Sequence, residues 1–316
     1  MRDGASVEPG EDVAMTAIGT PGLAPSMPLR LAAPGPRLWW LVLPMIVLFV
    51  AFFLVPVASL FAISLDHPAA GVVRLHGDFD TANFVRIFTR EIYTSSILRS
   101  ISIAAVVSVA CLVLGYPLAF VIAKTEHAGR NTLLMILVLA SMQLDTVIRL
   151  YGLMVLMGDN GLINSTLRSW GVIREPLPLM YNAFGVVVGL VQVTLPFMVL
   201  SLIGIIQAVH PSYEEAARSL GATRWAAFRH VALPLSMPGI LAGTLLVFSL
   251  SVSSYVVPAL MGGWKVQVLP IHVFQQISEM GKWQFGAAIA TVLFVISAAT
   301  VALYRFAAMR GAGGRA

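Results

Sequence analysis

The sequence predicts an all-α membrane protein with six transmembrane helices, and two observations carry that prediction. Apolar residues make up 58% of its 316 positions and charged residues only 11%, against about 25% charged in an ordinary soluble domain, and the mean hydropathy is +0.86. Six stretches are long enough to cross a hydrocarbon layer that needs about 20 apolar residues: Trp39–Leu65, Ser100–Ala123, Thr132–Met157, Ala183–Ile206, Met237–Leu260 and Gly286–Tyr304.

Taken in order, residues 1–38 are rich in Pro, Gly and Ala without apolar periodicity, and read as a disordered cytoplasmic tail. The first span has a basic flank at Arg37 but starts deep in the chain and exceeds a signal-peptide core, so it is expected to be a retained helix. Pro44 and Pro56 within it, and Pro117 and Pro196 in later spans, predict kinks of the kind membrane helices tolerate when neighbours satisfy the freed carbonyls. Between the first two spans, Asp80 or Thr81 caps a short helix with Phe84, Ile87 and Phe88 on one face, suited to lie along the outer surface. Cys111, the single cysteine, falls inside the second span and is expected to pack.

The third span contains Gln143, Asp145 and Arg149. An ionised carboxylate at membrane depth costs several kcal/mol unless it finds a partner or water. Two uses stay open for it. Asp145 and Arg149 are four residues apart with the acid N-terminal, a spacing at which they pair on one helix face. Alternatively Asp145 faces a transport path and offers its carboxylate to an ammonium group, with Gln143 helping. In the fourth span Gln192 and Thr194 stand before Pro196; they line a wet path, or the threonine bonds to its own preceding turn. Gly185 with Gly189, and Gly239 with Gly243 in the fifth span, permit close helix packing. Tyr255 suits either the outer interface or the path. After the sixth span, residues 309–316 read as a second cytoplasmic tail.

Between the fourth and fifth spans lies an amphipathic hairpin. Ser212 with Glu215 forms a capping box for a helix starting at Tyr213. Tyr213, Ala216, Ala217 and Leu220 share one apolar face opposite Glu214 and Arg218, and Gly221 stops the helix. Thr223 caps a second helix with Trp225 and Phe228 on one side, ended by Leu233 and Pro234. An exposed apolar stripe of this kind calls for a partner, the plainer alternative being a loop that lies on the lipid surface.

Eleven of the 20 Lys and Arg lie in the termini and the 124–131 and 207–236 loops, and eight in the three opposite loops. The bias favours cytoplasmic termini by the positive-inside rule, and with them a cytoplasmic hairpin. The net charge of +5 is spread over membrane-flanking loops, which speaks for topology and against nucleic acid.

Glu215, Ala216, Ala217, then three residues, Gly221, then nine residues, Val231, one residue and Leu233-Pro234 resemble the cytoplasmic signature loop of bacterial ABC-importer permeases, with Val in the slot usually held by Ile. Asn83-Phe84, LGYPLAFVIAK around Tyr116, RLYGLMVLMGDNGLINSTL from Arg149 and SYVVPALMGG from Ser254 resemble the spermidine/putrescine group of these permeases. Before the arginine, where that group is expected to carry Leu-Pro-aromatic, this chain has Ala140-Ser141-Met142-Gln143, and Ser253 and Ser254 stand where an acid is common. The resemblance implies a type I ABC-importer permease of MetI-like architecture in the bacterial inner membrane, with residues 39–308 as the permease domain and 212–234 as the coupling loop. It also implies an ABC ATPase dimer that receives Glu215, Ala216, Ala217, Gly221, Leu233 and Pro234, together with a second permease subunit and a periplasmic solute-binding protein.

The sequence contains no GxxxxGK[ST] phosphate loop, no HExxH, no GxSxG, and no metal-ligand spacing among its six histidines. The expectation is a transport subunit without its own ATPase, cofactor or metal, taking a polyamine or similar small cation. Rival readings are an importer for iron or a phosphonate, a gradient-driven transporter with Asp145 as its ion site, and a structural scaffold.

Overall fold

A computed structural model of the chain describes residues 36–66, 79–125 and 127–313; the tail expected over 1–38 lies outside it up to residue 35. The chain divides into two compact units, Met1–Leu54 and Val55–Ala316. In the first, α1 (Pro36–Phe49) contains Pro44 and leads into a π turn, Val50–Leu54, where Phe49 stacks on Phe53 at 5.0 Å.

Among its described residues the second unit has helices and loops and no strand. It begins with α2 (Val55–Ser64), whose second residue is Pro56, and α3 (Ala82–Thr89). The Asp80 carboxylate accepts from the Ala82 amide at 2.8 Å, while Thr81 makes no side-chain cap. Ile87 is buried as expected but Phe88 is exposed; the inward partner is Asn83, whose amide donates to the Ser64 and Asp66 carbonyls. Next comes α4 (Glu91–Lys124), 34 residues that rise about 51 Å, well beyond a hydrocarbon layer of about 30 Å.

The third span is not one helix. Its first part, α5 (Ala128–Gln143), stops before Leu144, which is extended, and α6 (Thr146–Met157) restarts with Asp145 as its cap. A short α7 (Leu162–Ser169) and a loop held by buried Asn164 follow. Then come α8 (Ala183–Ala208), α9 (Pro211–Ser219), α10 (Arg224–Ala227), a π turn Phe228–Ala232, α11 (Leu233–Leu235) and α12 (Met237–Val252). The fifth span thus ends at Val252 and not Leu260, and α13 (Val256–Met261), α14 (Leu269–Phe274) and α15 (Trp283–Gly313) complete the chain. The last helix runs through residues 309–313, where a tail was expected.

Among the described residues, five helical stretches are long and apolar enough to cross a bilayer, with a sixth if the bent pair Arg224–Leu235 and Met237–Val252 counts as one. The third of these starts at Thr146 because α5, at 16 residues, is too short alone.

The core sits where α4, α8 and α12 pack together. Between apolar helices in lipid the gain comes from close contact rather than from expelling water, and small residues permit it. A Cβ added at Gly115 would lie 3.0 Å from Met198 Cγ, and one at Gly243 2.7 Å from Met198 Sδ, so this methionine fills the gap that two glycines leave. Both GxxxG pairs pack within the chain: a Cβ at Gly189 would meet Val257 at 2.8 Å, and one at Gly239 would meet Ile205 at 3.0 Å. Cys111 is buried beside Thr194, Sγ to Oγ1 3.4 Å, in the packing role expected of it. A smaller cluster joins α3, α14 and α15 through Ile87, Leu269, Phe285 and Ile289.

Candidate functional site

The break at Leu144 opens a cavity of about 710 Å³ lined by Gln143, Asp145 and Arg149 on one side, Thr194 and Phe197 of α8 on another, and Ser254 and Tyr255 beyond α12. Five of the six path residues expected from sequence therefore meet in one place. Gln192 is not among the cavity lining; its Oε1 is buried without a hydrogen bond.

Of the two uses open to Asp145, the ion pair with Arg149 is not formed. The carboxylate caps α6: Oδ1 accepts from the Val147 amide at 2.8 Å and the Ile148 amide at 3.3 Å. A negative group there is also favoured by the helix dipole. Both bonds use Oδ1, so Oδ2 keeps its acceptor capacity. Arg149 turns back to donate from Nη1 to the Ser141 carbonyl at 2.8 Å, satisfying a C-terminal carbonyl of α5, while its Nε is buried without a partner. The i, i+4 rule fails because it presupposes the continuous helix that the break removes.

The other walls make contacts of their own. Thr194 donates to the Leu190 carbonyl at 2.8 Å, as a helical threonine is expected to. Tyr255 stacks on Phe274 of α14 with ring centroids 4.7 Å apart. On the same helix as Phe274, His272 is buried and its Nε2 meets Ser96 Oγ at 2.9 Å. Burial holds the imidazole below its ordinary pKa, an effect that the Gln275 hydrogen bond opposes and the Arg99 charge reinforces. Sequence reading missed this contact because Ser96 and His272 are 176 residues apart.

The hairpin is a second site. Its first helix starts at Pro211 rather than Tyr213, and its cap is not the Ser212–Glu215 box but His210, whose Nδ1 accepts from the Ser212 amide at 3.2 Å and lies 2.8 Å from Ser212 Oγ. Proline at the first helical position fits this start, since its missing N–H is unneeded there. Gly221 reverses the chain at φ 91°, a left-handed conformation that other residues rarely adopt. Thr223 caps α10 as expected, accepting from the Ala226 amide at 3.2 Å. The helical path does not end at Pro234 but continues to Leu235 and bends by 62° before α12.

Tyr213, Leu220 and Trp225 are 57, 90 and 69% exposed, so the apolar stripe faces outward with exposed Glu215 and Ala216 on the same helix. On the inner side Glu214 pairs with Lys124 at the end of α4, 2.8 Å apart, and Leu233 packs on the core.

Residues 30–310 match the protein family described as "Binding-protein-dependent transport system inner membrane component". The chain is 36% identical over 234 residues to the spermidine/putrescine transport system permease protein PotB of Escherichia coli K12, covering 71% of this chain and 85% of that one. It is 34% identical over 222 residues to PotB of Haemophilus influenzae, covering 70% and 77%. Among solved structures, a chain of a bacterial ABC transporter involved in the import of the acidic polysaccharide alginate superposes with a TM-score of 0.67 at 17% identity, over 87% of this chain and 95% of that one.

Proposed function

The chain belongs to the family of binding-protein-dependent transport inner membrane components, and on that premise we propose that it forms the translocation path of an ATP-driven importer for polyamines or a similar small cationic solute. It is a multi-pass permease subunit of an inner membrane. The reading adds both termini on the cytoplasmic side, residues 39–308 as the permease domain, and the 212–234 loop as the seat of a separate ABC ATPase dimer. A second permease and a periplasmic solute-binding protein complete the assembly. The positive-inside count and the exposed Tyr213, Leu220 and Trp225 support this orientation and this docking surface.

One observation carries the cargo assignment. The break at Leu144 sets a carboxylate with a spare oxygen in the same cavity as the Tyr255 ring, which stacks on Phe274. A carboxylate draws an ammonium group by charge, and an aromatic face adds attraction of about 0.5–2 kcal/mol when desolvated. In this reading Asp145 and Tyr255 bind the cation, Gln143 and Thr194 supply polar lining, and Glu215 through Gly221 transmit the ATPase's motion. A second reading rests on Arg149, whose cation lies in the same cavity with its Nε unpartnered: it favours an anionic solute such as a phosphonate.

Uptake of labelled spermidine and putrescine into vesicles containing this subunit with its co-purified partners, with and without internal ATP, tests the proposal. ATP-dependent uptake competed by other polyamines is the expected result. Hydrolysis of ATP without polyamine uptake, together with uptake of a labelled phosphonate, would transfer the cavity to the anionic reading.

A further inference from the structure

The last turns of α4 touch the loop at successive points. Lys124 holds Glu214, and Phe120 and Tyr116 meet Phe228 edge-on at 5.4 and 5.8 Å, with Trp225 stacked on Phe228 at 5.3 Å. Deepest of these is the Tyr116 hydroxyl, 2.8 Å from Ser236 Oγ. Ser236 is the residue at the 62° bend between the loop's second helix and α12, and it is 1% exposed.

The proton positions follow from counting. A serine hydroxyl has one hydrogen, and Ser236 Oγ donates it to the Leu233 carbonyl at 2.9 Å. Tyr116 therefore donates to Ser236. The bend has a physical cause in Pro234 and Pro238, neither of which has an amide hydrogen, and in the wide π turn Phe228–Ala232 just before it. Helical segments with missing bonds are soft joints. This one is bridged from outside by a tyrosine whose ring is already fully engaged by Phe120 and Phe228. Phenylalanine would pack there as well. What tyrosine adds is the bond to the joint.

We propose that Tyr116 is a positioning residue that latches the joint at Ser236. Its hydroxyl holds the bend at one angle and releases Ser236 when the loop helix is driven, so that the stroke reaches α12 only after the latch opens. This rests on the reading of the loop as the receiver of the ATPase's motion. It makes ATP hydrolysis wait for the binding protein, and predicts that the wait is lost with either hydroxyl.

The test uses Tyr116→Phe, Ser236→Ala and the double variant, each reconstituted with its permease and ATPase partners. Tyr116→Phe keeps the ring stack and so separates the bond from folding. The quantity read is the stimulation of ATP hydrolysis by the co-purified binding protein. Each single variant is expected to lower the stimulation ratio about five- to tenfold through a raised basal rate, and the double variant to match the singles, because the Tyr116–Ser236 bond is lost in all three. Native stimulation in both singles, or losses that multiply in the double, would overturn the latch. Glu215→Ala run alongside separates the two readings. If it uncouples hydrolysis while Tyr116→Phe does not, the latch alone is wrong. If neither changes the ratio, the loop reading falls and takes the latch with it.

Discussion

In the loop, Thr223 caps its own helix three residues on and Gly221 turns the chain at a single φ, whereas the cavity draws Asp145, Thr194 and Tyr255 from three separated segments. The loop is a local object whose surface is ready for a partner. The cavity exists only because α5 and α6 stop short of one another, and its polar groups already serve the fold: Asp145 caps a helix, Arg149 closes one, and Thr194 bonds its own turn. At exposed Glu215 a functional role can therefore be removed without touching the fold, while in the cavity it must be separated from a structural one.

The largest effect is expected in the loop. Glu215→Ala and Gly221→Asp should lower uptake by at least about tenfold, which corresponds to about 1.4 kcal/mol of lost coupling, while capture of the loaded binding protein and the amount of protein persist. Normal uptake in both would break the comparison at its stronger side. Next, Asp145→Asn removes the charge but keeps an equally good cap. Uptake of a polyamine should fall about tenfold with unchanged thermal stability. Asp145→Ala should add a loss of about 1 kcal/mol in stability, read as a lower unfolding temperature in detergent. If Asn and Ala behave alike in both assays, the carboxylate has no role beyond the cap.

Smaller still is the Lys124–Glu214 pair, about a quarter exposed at each end and worth about 0.5–1 kcal/mol. Lys124→Glu should weaken uptake modestly and Glu214→Lys on the same chain should restore it; failure of the exchange to rescue would deny the contact a role. The mildest effect concerns His272 on α14. His272 is held neutral by burial, so the unfolded chain takes up a proton there more readily than the folded one. Stability should be full above the ordinary histidine pKa and decline as pH falls below it. Unfolding temperatures measured from pH 7.5 to 5 should show this slope, and His272→Gln should flatten it.

What could be read from sequence follows the same division. The hairpin was legible because its signals lie within a few residues: the Thr223 cap, the Gly221 stop, the stripe from Tyr213 to Leu220. Even there the cap at its start was misassigned, since Ser212 with Glu215 fits the capping-box pattern while His210 supplies a ring nitrogen instead. The break before Asp145 was hidden by Leu144, which kept the apolar run unbroken, although Asp-Thr-Val is itself a helix-start pattern that could have revealed it. Tyr116 with Ser236 and Lys124 with Glu214 had no local signal at all, being 120 and 90 residues apart.

One helix touches nearly all of these places. Along α4, Ser96 meets His272, Cys111 meets Thr194, Tyr116 meets Ser236, and Lys124 at its end meets Glu214. Each added residue in a helix turns everything beyond it by about 100° and lengthens it by about 1.5 Å. A single insertion between Cys111 and Tyr116 would leave the Ser96 and Cys111 contacts seated and swing Tyr116 and Lys124 off their partners. The spacing from Ser96 to Lys124 is therefore a length fixed by four contacts at once, so that changing it costs more than changing most side chains along it.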